Sequence, residues 1–113
     1  MQFSQAEIKQ LDQQKYNISG TVDFSTVPGL IQRVIDLFKP YKKSAATQSK
    51  SHKLTFDLAP VTDCDSAGLA MMLEIFKQAH LRNIHVHFEN MPATLLTIAK
   101  AYGIESEIRK ICK

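Results

Sequence analysis

Alternation of apolar and polar residues marks four short extended segments along the chain. Two of them, residues 6–11 and 15–20, are separated only by the polar residues 12–14. The other two, residues 54–59 and 84–88, place apolar side chains on one side and Thr, Asp or His on the other. Alternation with a period of two predicts half-buried β-strands, and the short polar break predicts a hairpin between the first two.

Two segments that repeat apolar residues at helical spacing follow the second and third strands. The first begins at a cap, Ser25 or Thr26, carries Pro28 in its first turn and ends before Pro40. Its apolar stripe consists of Val27, Leu30, Ile31, Val34, Ile35 and Phe38. The second is predicted over residues 66–80, with a core stripe of Leu69, Met72, Leu73 and Phe76.

A third helix is predicted after the fourth strand, with Asn90 as its cap, Pro92 near its start and Gly103 as its stop. Its stripe consists of Leu95, Ile98, Ala99 and Tyr102, and residues 104–111 are expected to add a short helix. Strands separated by helices pair in parallel, whereas the hairpin is antiparallel. We therefore predict an α/β fold: a four-stranded mixed sheet with helices packed mainly on one face, because Thr55, Asp57, His85 and His87 make the other face polar.

The composition is that of a globular domain. The chain has 113 residues, 44% apolar and 22% charged, which suffices for one core and is too short for two domains. We therefore expect residues 1–113 to form a single domain. No stretch approaches the roughly 18 apolar residues of a membrane span, and the first residues lack the pattern of a signal peptide. We expect a cytosolic protein.

Charge and cysteine content narrow the class of function further. The net charge of +3 is smaller than a dedicated nucleic-acid-binding domain usually carries. Cys64 and Cys112 lie far apart in sequence and are expected to be reduced thiols in a cytosolic protein. His85 and His87 share a strand face, but two ligands do not form a metal site. We predict neither a metal nor a cofactor.

A lysine-rich segment, residues 39–53, separates the first helix from the third strand. It contains five lysines, no acidic residue and no apolar period; the lysines are Lys39, Lys42, Lys43, Lys50 and Lys53. These features predict a mobile, solvated surface loop. The lysines are also compatible with a weak attraction to phosphate or lipid headgroups.

The most distinctive stretch is residues 61–69, where a strand leads into the second helix. The free N–H groups and dipole of a helix start make this a natural place for an anion or a partner. Asp63 and Asp65 have the spacing of paired aspartates in magnesium-dependent phosphotransferases, but no further acidic cluster follows a strand. We expect one of them to cap the helix instead. Cys64 as a nucleophile would need a histidine partner that the sequence does not indicate, so we interpret it as a half-buried small residue.

Ser66 and the helix that follows it suggest a docking surface. The hydroxyl of Ser66 either bonds a free backbone N–H or, if exposed, accepts a phosphate that the dipole favours and the neighbouring aspartates oppose. Met71 and Ile75 form an i, i+4 pair that the predicted core stripe leaves outside. Exposed apolar residues are common, but this pair predicts an apolar contact for another protein, with an adaptable methionine at its centre.

The sequence around Ser66 resembles that of a known protein family. Residues 54–69 are similar to the strand, loop and helix start of the STAS domain, in which Asp65, Ser66, Ala67 and Gly68 match the pattern Asp-Ser/Thr-small-Gly. The resemblance extends from about residue 6 to residue 110. It implies the STAS fold, also called SpoIIAA-like, and places Ser66 at the position of the family's regulatory Ser/Thr.

Within the family, residues 90–104 most resemble the MlaB type. That resemblance implies a non-catalytic cytoplasmic subunit, peripheral to the inner membrane through its partners. It would bind and support the MlaF-type ATPase of an ABC phospholipid transporter, and through it the permease complex, in maintaining outer-membrane lipid asymmetry. The lysine-rich loop departs from the shorter connection usual in these domains. The predicted partner-binding residues are Thr62, Asp63, Asp65, Ser66, Ala67, Gly68, Ala70, Met71 and Ile75.

The family also suggests an alternative function of a different class. In that interpretation the protein is an anti-sigma factor antagonist, and phosphorylation of Ser66 by a serine kinase releases its partner. The carboxylates of Asp63 and Asp65 disfavour the added negative charge, so steady docking is the preferred hypothesis.

Overall fold

Five strands and four helices make up the fold in a computed structural model, which describes residues 6–41 and 52–111. The strands are β1 (Ala6–Asp12), β2 (Lys15–Val22), β3 (His52–Asp57), β4 (Val61–Cys64) and β5 (Ile84–Glu89). The helices are α1 (Val27–Phe38), α2 (Ser66–His80), α3 (Ala93–Ala101) and α4 (Glu105–Lys110). The predicted mobile loop, residues 39–53, lies largely outside the described residues.

The strands form one mixed sheet. β1 and β2 make the predicted antiparallel hairpin, and β2, β3 and β5 pair in parallel in that order. The predicted count of four strands is wrong, because residues 61–64 form a fifth strand that pairs in parallel with the second half of β2. This strand is only four residues long, and its polar sequence between Pro60 and Asp65 resembles a turn. The α/β class and the mixed sheet are confirmed.

Side chains alternate between a buried and an open face of this sheet. Leu54, Phe56, Val86 and Phe88 are buried beneath the helices, whereas Thr55, Asp57 and His87 are only partly covered and His85 is exposed. The rings of Tyr16, Phe56 and Phe88 lie side by side on β2, β3 and β5, with centroids 5.6 and 5.9 Å apart. The prediction that the helices pack mainly on one face is therefore confirmed.

Helix α2 is rotated relative to the prediction. Leu69 and Met72 are buried as expected, but Leu73 and Phe76 are each 41% exposed. The buried face is centred on Gly68, Met72, Ile75 and Ala79, at positions i, i+4, i+7 and i+11. The reason is close packing: a Cβ on Gly68 would lie 3.2 Å from a Leu95 methyl and 3.3 Å from a Val22 methyl. The helix therefore turns the face that carries Gly68 toward Val22 and Leu95.

Helix α3 begins later than predicted. Its N-cap is Pro92, and Asn90 does not cap it. Asn90 instead adopts a left-handed backbone (φ 57°), which asparagine tolerates well, and its side-chain amide donates to Asp57 Oδ1 at 2.8 Å. Asn90 thus ties the ends of β5 and β3 together. Gly103, with φ 74°, ends the helix as predicted.

Candidate functional site

Two aspartates, Asp63 in β4 and Asp65 just before α2, bond backbone N–H groups where the strand leads into the helix. Asp65 is the N-cap, and its Oδ1 accepts the N–H of Ala67 at 2.8 Å. Asp63 Oδ1 accepts the N–H of Cys64 at 2.9 Å. The prediction that one aspartate caps the helix is confirmed. Since the capping carboxylate lies at the positive end of the helix dipole, this end of α2 already carries its own anion.

Ser66 occupies the first helical position and is half-buried. Because Asp65 caps the helix, the serine is not needed for that task, and its hydroxyl makes no hydrogen bond with any residue that the structure describes. Of the two alternatives for Ser66, a hydroxyl bonded to a free backbone N–H is therefore not what the structure has. Its hydroxyl remains available to a partner or to a modifying enzyme.

The nine predicted partner-binding residues do not share one degree of exposure. Three are exposed, namely Thr62, Asp63 and Ala70, and three are half-buried, namely Asp65, Ser66 and Ala67. The remaining three are buried: Gly68, Met71 and Ile75. The prediction that Met71 and Ile75 face outward is wrong. Both side chains are 1% exposed, because the rotation of α2 directs them into the core.

Two exposed apolar side chains that the prediction did not assign to a surface lie on α2 and on the loop after β2. Leu73 shares a helix face with Ser66 and Ala70, at positions i, i+4 and i+7. Phe24, in the loop after β2, is 77% exposed. β2 and β4 are parallel neighbours, and the N–H of Asp65 donates to the carbonyl of Val22 at 3.2 Å. The loops that follow these two strands therefore leave the sheet at the same end. We call Phe24, Thr62, Asp63, Ser66, Ala70 and Leu73 the Ser66 surface.

The loop that carries Phe24 is organised by Asp23. Its Oδ1 accepts from the N–H and hydroxyl of Ser25, at 2.9 and 2.7 Å, and from the N–H of Thr26 at 3.2 Å. Hydrogen bonds from the Ser25 hydroxyl and backbone hold the pKa of Asp23 below its ordinary value. The hydroxyl of Thr26 donates to the carbonyl of Thr21 at 2.8 Å. An ordered turn therefore presents an exposed aromatic ring, which nothing in the local sequence pattern indicated.

Cys64 has the electrostatics of a poorly reactive thiol. Burial raises its pKa, and the carboxylates of Asp63 and Asp65 raise it further, because all three disfavour a thiolate. A nucleophilic cysteine needs the opposite environment. The interpretation of Cys64 as a half-buried small residue agrees with its partial exposure.

The described residues include no group of three His, Cys, Asp or Glu side chains placed to hold a metal ion. Likewise, none of the helices in the described ranges 6–41 and 52–111 is both long and apolar enough to cross a membrane.

Comparison with protein families identifies the class. The chain matches the model of the STAS domain over residues 5–113, and it belongs to the STAS domain family. No curated protein matches its sequence.

Solved structures support the same fold. The anti-sigma factor antagonist SpoIIAA in its unphosphorylated form is similar with a TM-score of 0.62 at 11% identity, covering 96% of this chain and 85% of SpoIIAA. A sulfate transporter family protein from Wolinella succinogenes is similar with a TM-score of 0.59 at 13% identity, covering 94% and 80%. SLC26A9 is similar with a TM-score of 0.58 at 14% identity, but this chain spans only 21% of it. At these identities the likeness concerns the fold alone.

Proposed function

We propose that this STAS domain is a non-catalytic cytoplasmic docking subunit whose Ser66 surface binds the ATPase of an Mla-type ABC phospholipid transporter. Through that ATPase it would join the permease complex at the inner membrane and support outer-membrane lipid asymmetry. The observation that carries the docking role is the exposure of Phe24 and Leu73, on the loop and the helix that leave the sheet at the same end as the free Ser66 hydroxyl. The resemblance of residues 90–104 to the MlaB type supports the choice of partner.

The shape and charge of the surface favour a protein partner. An aromatic side chain that is 77% exposed on an ordered turn is costly in water and typical of an interface anchor. The carboxylates of Asp23, Asp63 and Asp65 lie at the end of the sheet where β2 and β4 finish, so a small anion is disfavoured there. An apolar pocket with basic groups at its rim would complement the Ser66 surface.

Co-purification of the ATPase with variants of this chain tests the proposal. Phe24→Ala and Leu73→Asp are each expected to weaken binding by roughly tenfold or more, as truncation of an interface anchor does. Ser66→Glu is expected to abolish binding through added negative charge beside the two aspartates. Leu81→Asp is the matched control, because Leu81 is 44% exposed at the opposite end of α2. Full retention of the ATPase by all three folded variants would contradict this interface.

A second candidate function rests on the free Ser66 hydroxyl. In that alternative the protein is an anti-sigma factor antagonist, and phosphorylation of Ser66 releases its partner. SpoIIAA, a protein of that class, has a similar fold. The discriminating measurement is the mass of the protein isolated from its host: a gain of one phosphate on Ser66 supports the switch, and capture of an ABC ATPase by unphosphorylated protein supports the docking subunit.

A further inference from the structure

A groove runs along the free edge of β5, at the end of α2 that lies farthest from Ser66. It encloses about 330 Å³ between the last turns of α2, the strand itself and the end of α4. This volume is at the lower end of the range for small-molecule sites. Its apolar lining comes from Phe76, Ile84, Val86 and Ile111. We call it the β5-edge groove.

Main-chain groups of β5 face this groove. The parallel ladder with β3 uses alternate residues of β5, since the carbonyls of Asn83 and Glu89 accept from His52 and Leu58. The N–H and carbonyl groups of Ile84, Val86 and Phe88 therefore point to the other edge. The N–H of Phe88 donates there to the carbonyl of Ile111 at 2.9 Å. The N–H of Val86 has no such partner among the described residues.

The polar residues that line the groove are all basic or neutral. His80, His85, His87 and Lys110 line it, and no carboxylate among the described residues does. His87 Nδ1 is buried and has no hydrogen-bond partner in the described part of the chain. Burying a polar atom without a partner costs free energy, so a rotation of the imidazole that brings this nitrogen to a ligand in the groove would recover the loss.

We propose that the β5-edge groove binds an organic anion with a short hydrocarbon portion. The phosphate or carboxylate head accepts hydrogen bonds from His87 and the ammonium of Lys110, and the hydrocarbon portion packs against Phe76 and Ile111. A cation is disfavoured by the basic lining, and the described residues provide no metal-binding group of three side chains. The site also accounts for the 41% exposure of Phe76, whose ring forms part of the groove.

The site is separate from the proposed docking function. α2 has 15 residues and rises about 1.5 Å per residue, so the groove lies on the order of 20 Å from Ser66. Anion binding by the groove and docking of a partner on the Ser66 surface can therefore fail independently.

Titration of the purified protein with octyl phosphate, followed by amide NMR spectra, tests the proposal. Saturable shifts are expected at Val86, His87 and Ile111. Octan-1-ol lacks the charge, and inorganic phosphate lacks the hydrocarbon. The affinity of each is expected to be lower than that of octyl phosphate by roughly tenfold or more. Shifts that do not saturate, or that centre elsewhere on the protein, would overturn the assignment.

Variants identify the residues responsible. His87→Ala and Lys110→Ala are each expected to weaken octyl phosphate binding by about tenfold, the usual consequence of losing a hydrogen bond to a charged group. His52→Ala is the control, since His52 contacts the ring of Tyr41 instead of lining the groove. Lys110 is an exposed residue of α4, so its variant keeps the test valid if His87→Ala unfolds. Unchanged affinity in folded Lys110→Ala would contradict the proposal.

A vesicle arm distinguishes a lipid headgroup from a soluble anion. Phosphatidylcholine vesicles with and without phosphatidic acid are sedimented with the wild-type and Lys110→Ala proteins. Co-sedimentation that requires both phosphatidic acid and Lys110 assigns the ligand to a membrane, whereas octyl phosphate binding without co-sedimentation assigns it to a soluble molecule.

Discussion

The two ends of α2 present surfaces of opposite charge. At the first turn, Asp63 and Asp65 face the positive end of the helix dipole, and Asp65 occupies a backbone N–H of that turn. At the last turn, Lys77 and His80 face the negative end. Both arrangements stabilise the helix, so charge alone does not identify a binding site at either end.

The two ends of α2 differ in features that do not stabilise the helix. Phe24 and Leu73, both on the Ser66 surface, remain exposed and take no part in the buried core. At the other end, His87 Nδ1 is buried without a partner in the described part of the chain. The first feature is typical of protein docking, and the second leaves a hydrogen-bonding capacity that a bound polar ligand, water or ion can satisfy. The difference teaches that exposed apolar groups and unpaired buried polar groups indicate different kinds of partner.

The largest expected effect on stability is in the middle of α2. The two proposed binding surfaces lie at the ends of this helix, and its middle is expected to pack in the core. Ile75→Ala is expected to lower the free energy of unfolding by about 2–5 kcal/mol, because it leaves a cavity in the core. Leu73→Ala on the exposed face is expected to lower it by less than about 1 kcal/mol. Urea denaturation of both variants measures this. Equal losses would mean that α2 is rotated differently from the structure.

A smaller effect is expected at the start of α2. Asp65→Ala removes the N-cap carboxylate and is expected to cost about 1 kcal/mol, within the range for lost caps. Asp63→Ala, whose carboxylate bonds only the adjacent N–H, is the matched control and should cost less. Thermal unfolding of the two variants compares them. A larger loss of stability for Asp63→Ala than for Asp65→Ala would mean that Asp63, and not Asp65, caps α2.

The rate of alkylation of Cys64 reports the electrostatic effect of the carboxylates of Asp63 and Asp65 at the start of α2. Burial and the two aspartates raise the thiol pKa, so less thiolate is present at a given pH, and iodoacetamide should react more slowly than with the unfolded chain. Asp63→Asn removes one negative charge, lowers the thiol pKa and is expected to accelerate the reaction. Mass spectrometry of the peptide containing Cys64 follows this thiol separately from Cys112. An unchanged or slower rate in the folded variant would contradict the field described here.

The smallest expected effect is at the other end of α2. Lys77→Ala removes an exposed charge from the last turn and is expected to cost only a few tenths of a kcal/mol, because solvent screens the dipole interaction. The loss should diminish further in high salt. A salt-independent loss measured by urea denaturation would show that Lys77 contributes through packing.

Several boundaries of the fold were predictable because a single residue type imposes each one. Pro28 and Pro40 bracket α1, and Gly103 ends α3 with the positive φ that glycine adopts without strain. The capping role of an aspartate before Ser66 was likewise predictable, since short polar side chains bond the free N–H groups of a helix start. These are local effects, and they do not depend on distant parts of the chain.

The composition of the Ser66 surface was only partly predictable. α2 has apolar residues around most of its circumference, so their spacing did not indicate which stripe is buried. The close approach of Gly68 to Val22 and Leu95 selects the stripe. Phe24 gave no comparable signal, because its proximity to Ser66 depends on the pairing of β2 with β4.

The amino-acid sequence by itself therefore determined the class of fold, several of the helix boundaries and the capping of α2, because these follow from hydrophobic period and from the backbone preferences of Pro, Gly and Asp. Only the tertiary structure decided which side chains of α2 are exposed, that Phe24 joins the Ser66 surface, and that three histidines and Lys110 line one groove. The physical reason is that helix rotation and loop proximity depend on close packing between residues far apart in sequence, which no local pattern encodes.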